Sequence, residues 1–211
     1  MKNRLKGRLI VFEGGEGSGK STQLEKIYAH MKRLNNKTVL LREPGGTAIS
    51  EMIREVILNP ANTAMSEKTE LLLYIACRAQ LVEEKLIPLL KSGYTVLLDR
   101  FYLATVVYQG YARGIDRQWI DSLNAYSLAG LKEDLTIIYD VSPAEAAKRM
   151  KKRAKSDRLD REAAGFHKKV RNGYLTEAGR SKNCAVVSTD KKSPGQVYAE
   201  TLSILENRGV L

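Results

Sequence analysis

The chain has 211 residues, a formal net charge of +11 and 43% hydrophobic residues. This length and apolar content fit one α/β domain over residues 1–211 with a substantial core. No apolar run approaches the roughly 18 residues of a membrane-spanning helix, and no signal-peptide core follows the basic N-terminus, so we expect no membrane association. The two cysteines are far apart and the two histidines are isolated, which argues against a Cys/His metal site. So few cysteines also favour a reduced, cytoplasmic setting.

A glycine-rich segment near the start carries the first functional signal. Residues 8–13 are predicted to form a buried strand, and a helix with apolar positions Leu24, Ile27, Met31 and Leu34 follows. Between them, GGEGSGKS fits the phosphate-binding pattern G-x-x-x-x-G-K-[ST]. Lys20 is then expected to reach the β- and γ-phosphates of ATP, and the Ser21 hydroxyl to bind Mg²⁺. The predicted ATP-binding residues are Gly14, Gly15, Glu16, Gly17, Ser18, Gly19, Lys20, Ser21 and Thr22.

The remaining elements alternate along the chain. Strands are predicted at 38–41, 94–99, 135–141 and 184–188, and helices at about 49–57, 67–90, 116–130, 162–178 and from 194 onward; Ser142 and Pro143 open a further helix as N-cap and first residue. Such alternation is typical of a parallel sheet between helices. The sequence therefore predicts a three-layer α/β/α P-loop NTPase fold with about five parallel strands and a short lid.

Charged residues follow the third predicted strand. Asp99 and Arg100 come where a buried parallel strand ends, and ligands bind outside the carboxyl ends of such strands. The aspartate suits Mg²⁺ or a water bound to it, and the arginine suits a phosphate. A carboxylate that merely caps a turn is the alternative.

A second pair lies within the 67–90 helix. Tyr74 and Arg78 are four residues apart and share one helix face. An aromatic ring beside a guanidinium suits a planar heterocycle, because one stacks and the other donates to a carbonyl. A core tyrosine beside a surface arginine fits the spacing equally well.

The positive charge is concentrated at residues 1–8, which sum to +4, and at residues 148–182, which sum to +9. Within the second stretch, residues 148–161 begin with a helical pattern and then lose it. A mobile, phosphate-clamping lid, a nucleic-acid patch and a solubilising surface are the three interpretations.

Taken together, these motifs resemble the thymidylate kinase family of nucleoside-monophosphate kinases. The resemblance covers nearly the whole chain and runs through the glycine-rich loop, REPGGT at 42–47, Asp99-Arg100-Phe101, YQGYARGID at 108–116 and Asp157-Arg158-Leu159-Asp160. The second and fourth of these segments are specific to the family. The resemblance implies transfer of phosphate from ATP to dTMP, giving dTDP, with Mg²⁺ as cofactor, by direct in-line displacement in a cytoplasmic homodimer. The alternatives are a kinase for another nucleoside monophosphate or a deoxynucleoside and, less favoured, a nucleic-acid-binding ATPase.

The resemblance also implies roles for residues around the acceptor nucleotide. Tyr74 would stack on thymine, Arg78 would donate to a thymine carbonyl, and Thr105 and Gln109 would help to hold the base. Tyr108 would crowd the 2′ position of the sugar and favour deoxyribose. Ala104 stands where relatives often carry serine, so one hydroxyl near the base is absent.

The resemblance further implies that charged residues bind the phosphates and the magnesium ion. Arg54 and Arg100 would bind the acceptor phosphate, supported by Glu43. Glu16 and Asp99 would organise the acceptor sugar, the magnesium ion and its waters, so that Ser21 and Asp99 form the predicted metal site.

The lid is expected at about residues 150–162. Arg158, with Arg153 as a weaker candidate, would act on ATP from this lid. In one branch of the family that this chain resembles, the glycine-rich loop carries an arginine after its acidic residue. Here Gly17 follows Glu16, so the resemblance implies that the transition-state charge is met from the lid. The predicted catalytic residues are Lys20, Arg100, Arg158, Asp99, Glu16 and Arg153.

Overall fold

The computed structural model describes residues 5–34, 37–151, 158–160 and 162–211. Its strands are β1 (Arg8–Gly14), β2 (Thr38–Arg42), β3 (Thr95–Asp99), β4 (Leu135–Asp140) and β5 (Cys184–Ser188). They form one five-stranded sheet in the order β2-β3-β1-β4-β5, and every neighbouring pair is parallel. The predicted parallel sheet is confirmed.

Helices connect these strands. The α-helices are α1 (Lys20–Leu34), α2 (Ala48–Leu58), α3 (Glu67–Leu81), α4 (Ile87–Lys91), α5 (Tyr102–Thr105), α6 (Arg117–Leu128), α7 (Pro143–Met150), α8 (Ala164–Arg180) and α9 (Pro194–Asn207). Two π-helical segments, Val82–Leu86 and Val106–Ala112, lie between α3 and α4 and after α5. Within the described ranges, no helix has the length and apolarity needed to cross a membrane.

The two faces of β1 bury different helices. Ile10 and Phe12 belong to one core cluster with apolar residues of α1 and α9. Leu9 and Val11, which alternate with them, belong to another cluster with residues of α3, the first π-helical segment and α4. Because successive strand residues point to opposite faces, this alternation places helices on both sides of the sheet. The three-layer arrangement is confirmed.

The predicted helix at 67–90 is interrupted. The N–H of Ile87 donates to the carbonyl of Val82, five residues back, which widens the helix between α3 and α4. The next residue is Pro88, which has no N–H and whose ring would collide with the carbonyl four residues earlier in a regular α-helix. The π-helical turn just before the proline accommodates it.

Two further differences concern the N-cap of α7 and the first residue of α8. Ser142 precedes α7 as predicted, but its hydroxyl donates to Asp190 instead of accepting an N–H of the helix. The helix predicted from residue 162 begins at Ala164. The hydroxyl of Ser142 therefore joins α7 to the loop after β5.

The sequence reasoning missed the helical stretch from α5 through Val106–Ala112. Here four consecutive side chains, from Val106 to Gln109, are buried, a pattern without helical periodicity. The N–H of Arg113 donates to the carbonyl of Tyr108, five residues back, and this wider turn lets both Tyr108 and Gln109 face inward.

Glu13 of β1 links the sheet to the segment after β3 and to α8. Its carboxylate is completely buried, accepts the backbone N–H of Phe101 at 2.8 Å and accepts the Tyr174 hydroxyl at 2.7 Å. Burial raises the pKa of Glu13 to about 7, although Arg100 and these two hydrogen bonds oppose the shift. This carboxylate therefore fixes the start of the segment after β3 and the middle of α8.

Glu13 should make stability fall as pH rises. A folded-state pKa above the unfolded value favours the folded state below about pH 4.5, and this contribution is lost as pH passes through about 7. Compared with Glu13→Gln, the wild type should lose roughly 3 kcal/mol of unfolding free energy between these limits. Urea denaturation at a series of pH values measures the difference, and parallel profiles for the two proteins would contradict it.

Candidate active site

The glycine-rich loop depends on backbone conformations that favour glycine. Gly14 has φ +146°, and a Cβ built there would lie 2.6 Å from the carbonyl oxygen of Tyr139. Gly17 has φ +74°, and its Cβ would lie 2.9 Å from the carbonyl of Ala146. The loop therefore packs directly on β4 and α7, and α1 begins at Lys20. Its backbone N–H groups and the start of the helix provide the positive potential that a phosphate needs.

Lys20 and Asp99 meet beside this loop. The Lys20 ammonium is buried and donates to the Asp99 carboxylate at the end of β3. Burial and nearby Arg100 lower the pKa of Lys20, and Asp99 opposes this effect. The register that pairs Phe12 of β1 with Asp99 brings the two strand ends together.

Two side-chain oxygens that could ligate Mg²⁺ lie beside Lys20. Ser21 and Asp99 line the same cavity, and hydroxyl and carboxylate oxygens are ligands that Mg²⁺ accepts. Among the described residues, no cluster of three or more Asp, Glu, His or Cys side chains could cage a metal. The donor set fits an ion held by two protein oxygens together with phosphates.

Arg100 lies at the centre of a half-buried polar network. Its backbone is left-handed, with φ 65°. Its guanidinium donates to the Glu16 carboxylate at 2.7 Å and to the Tyr108 and Tyr174 hydroxyls at 3.0 and 3.2 Å. Burial alone would raise the pKa of Glu16, but Arg100 and the Tyr108 hydroxyl hold it below the usual value. Arg100 is thus oriented by partners from the loop, the second π-helical segment and α8.

A cavity of about 170 Å³, here called the central cavity, opens beside Arg100. The structure brings all residues predicted to bind the acceptor to its wall, namely Glu43, Arg54, Tyr74, Arg78, Arg100, Thr105, Tyr108 and Gln109. Ala104 also lines it.

Arg78 is a buried residue, so the surface interpretation of this arginine is wrong. It is 1% exposed and donates to Asn124 at 2.6 Å, to Thr105 at 2.8 Å and to the Glu43 carboxylate. Tyr74, on the same face of α3, is half-buried in the cavity wall. Glu43 therefore holds Arg78, whereas Arg54 donates to the carbonyl of Pro44 at 2.7 Å.

Arg158 lies beside the central cavity and not at the glycine-rich loop. Its guanidinium donates to the Glu70 carboxylate of α3 and to the carbonyl of Ile57 at 3.0 Å. Its backbone N–H donates to the carbonyl of Leu58. Arg153, the weaker candidate, lies outside the described residues.

A different arginine of the basic stretch contacts the loop. Arg149, in the last turn of α7, donates to the carbonyl of Gly17 at 3.2 Å and to the hydroxyl and carbonyl of Thr189 at 3.1 and 3.0 Å. The sequence reasoning counted Arg149 in the basic stretch but did not single it out. It also missed Tyr174 and Glu70, because their partners are far away in sequence.

Two neighbouring spaces share one wall. The loop recess is lined by residues 15–22, Arg100 and Arg149. Glu16, Lys20, Ser21 and Arg100 line both this recess and the central cavity. A phosphate held by the loop would therefore lie next to a molecule in the central cavity, with two cations between them.

Known proteins are similar to this chain in sequence and in fold. The thymidylate kinase family model matches residues 12–200. The thymidylate kinase of Carboxydothermus hydrogenoformans is 42% identical over 202 residues, covering 96% of this chain and 98% of the relative. That of Thermoanaerobacter sp. strain X514 is 46% identical over 171 residues, covering 81% and 83%. The crystal structure of thymidylate kinase from Ehrlichia chaffeensis superimposes with a TM-score of 0.78 at 30% identity, covering 95% and 98%. This chain belongs to the thymidylate kinase family.

Proposed function

We propose that the chain transfers the γ-phosphoryl group of ATP to the 5′-phosphate of dTMP, giving dTDP and ADP. The wall shared by the loop recess and the central cavity is the observation that carries this proposal. ATP phosphates bind the loop, and dTMP occupies the cavity with its phosphate at Arg100 and Arg54. The family supports the same reaction.

Several side chains of the central cavity contact the thymine base. Tyr74 stacks on the base, Arg78 donates to a carbonyl, and Thr105 and Gln109 complete the polar edge. Tyr108 donates its hydroxyl to Glu16 at 2.7 Å, which holds the ring beside the sugar. Since the guanidinium of Arg78 is fixed by Glu43 and Asn124, it presents a donor without reorganising.

The phosphoryl transfer needs no covalent enzyme intermediate. An acceptor phosphate oxygen, anionic at neutral pH, forms the new bond to the γ-phosphorus while the bond from that phosphorus to the bridging oxygen of ADP breaks. Lys20 and Arg100 neutralise charge on the transferring group and hold the two phosphates in line. Mg²⁺, bound by Ser21 and Asp99 when present, supplies further charge neutralisation.

Arg158 acts in this proposal after leaving Glu70. The resemblance assigns the transition-state arginine to the lid, and Arg149 already contacts the loop from α7. We assign Arg149 to holding ATP and Arg158 to the charge that develops during transfer. The lid closes as Arg158 moves from Glu70 towards the γ-phosphate.

Exposed apolar side chains support a homodimer, whereas the cytoplasmic setting stays a prediction from the sequence. Met52 of α2, Leu72 of α3 and Tyr126 of α6 are 61%, 55% and 84% exposed on helices that pack side by side. Such a patch is a candidate for pairing with a second copy. Sedimentation equilibrium at micromolar concentration should give the dimer mass for the wild type, and a monomer would refute this pairing.

Loss of Arg158 should affect turnover more than dTMP binding. Arg158→Ala should lower kcat on the order of 10³-fold, because a transition-state arginine is lost, with a much smaller change in the KM for dTMP. Arg149→Ala should mainly raise the KM for ATP. Steady-state kinetics with each substrate varied separates the two roles, and a near-normal kcat for Arg158→Ala would remove it from catalysis.

An acceptor panel tests the proposed function itself. ADP release should be fast with dTMP and slower with dUMP, dCMP, AMP and thymidine. The nucleoside lacks the phosphate that Arg54 and Arg100 bind, so its failure also separates this chain from a deoxynucleoside kinase. Faster turnover with another acceptor, or ATP hydrolysis that requires added DNA or RNA, would overturn the proposal.

A further inference from the structure

Glu70 is a buried carboxylate of α3 that the proposed function uses only as the partner that Arg158 leaves. It is 1% exposed and accepts four hydrogen-bond donors from three residues. One oxygen accepts the Gln109 amide Nε2 at 2.8 Å and the Arg113 Nε at 3.3 Å. The other accepts an Nη of Arg113 at 3.2 Å and an Nη of Arg158. One side chain thereby joins the wall of the central cavity to the lid.

The charge of Glu70 decides how the Gln109 amide is turned. Burial alone would raise the pKa of Glu70, but Arg113, Gln109 and Arg158 hold it below the usual range. An ionised carboxylate only accepts hydrogen bonds, so the NH₂ of the amide must face it. Gln109 is itself 1% exposed and lines the cavity, which leaves Oε1 as the amide atom not bonded to Glu70.

We propose that Glu70 is a specificity-determining positioning residue, which turns the Gln109 amide so that its carbonyl oxygen faces the base. This inference rests on the proposed function. A carbonyl at this position accepts the N3–H of thymine or uracil. Cytosine has a lone pair at N3 and meets the oxygen with another acceptor, which leaves both unpaired.

The substitution Glu70→Gln should reverse the Gln109 amide without changing the volume. The oxygen of the introduced amide would face the two arginine Nη groups, since two guanidinium donors disfavour an NH₂ there. The introduced NH₂ would then replace the oxygen that accepts Gln109 at 2.8 Å and the Arg113 Nε at 3.3 Å. The longer Arg113 contact would be lost, and the Gln109 carbonyl must turn towards the NH₂. Gln109 would present its own NH₂ to the base, the wrong partner for N3–H and a suitable one for the cytosine N3.

The experiment compares kcat/KM for dTMP, dUMP and dCMP. In Glu70→Gln, the values for dTMP and dUMP should fall together by about tenfold or more, because one hydrogen bond is misdirected. The value for dCMP should hold or rise, so the dTMP-to-dCMP ratio falls while the dTMP-to-dUMP ratio stays constant. A merely structural role would lower all three alike.

Two further variants complete the test. Glu177 is also a buried carboxylate held by arginines, here Arg117 and Arg180, but it lies outside the central cavity wall. Glu177→Gln should therefore leave both ratios unchanged. The reciprocal variant E70Q/Q109E restores an acceptor towards the base and keeps the total charge, so it should recover the dTMP-to-dCMP ratio.

Unchanged ratios in Glu70→Gln, or a double variant that fails to recover selectivity, would overturn the inference. If Glu70→Gln does not fold, as judged by its thermal transition, the double variant alone decides the question. Failure of the proposed function is distinguishable, because the wild type itself would then not prefer dTMP.

Discussion

The structure depends on how Arg100 is held at the end of β3. A left-handed backbone at a non-glycine residue costs roughly 1–2 kcal/mol, and here it turns the chain so that the guanidinium reaches the glycine-rich loop. Glu16 balances its charge, and the Tyr108 and Tyr174 hydroxyls each accept one of its N–H groups. Removing Glu16 would leave the half-buried charge of Arg100 unpaired, so these elements hold their positions as a unit.

This constraint explains why two binding spaces meet at one wall. The parallel sheet places the ends of β1 and β3 side by side, with the loop after one and Asp99-Arg100 after the other. Lys20, Ser21 and Arg100 can then face both spaces. Glu70 provides a second connection, because its carboxylate holds a residue of the cavity wall and the lid arginine at once. In the proposed function, base recognition and lid position are therefore physically linked.

Local signals predicted much of this arrangement. The glycine pattern, the buried strands and the i,i+4 pair Tyr74 and Arg78 depend on neighbours in sequence, and the structure places them as expected. The helical stretch after Phe101 was missed, because its run of adjacent buried residues follows from a π-helical turn. The partners of Arg158 were equally hidden, since Glu70 is 88 residues away and only the tertiary fold brings them together.

In the proposed function, Arg100, oriented by these partners, binds the acceptor phosphate. This role is tested most directly by the dissociation constants of dTMP and thymidine, measured by calorimetry for the wild type and for Arg100→Gln. The wild type should bind dTMP far more tightly than thymidine, and the substitution should remove most of this difference while thymidine binding changes little. An undiminished preference for dTMP in Arg100→Gln would contradict the account.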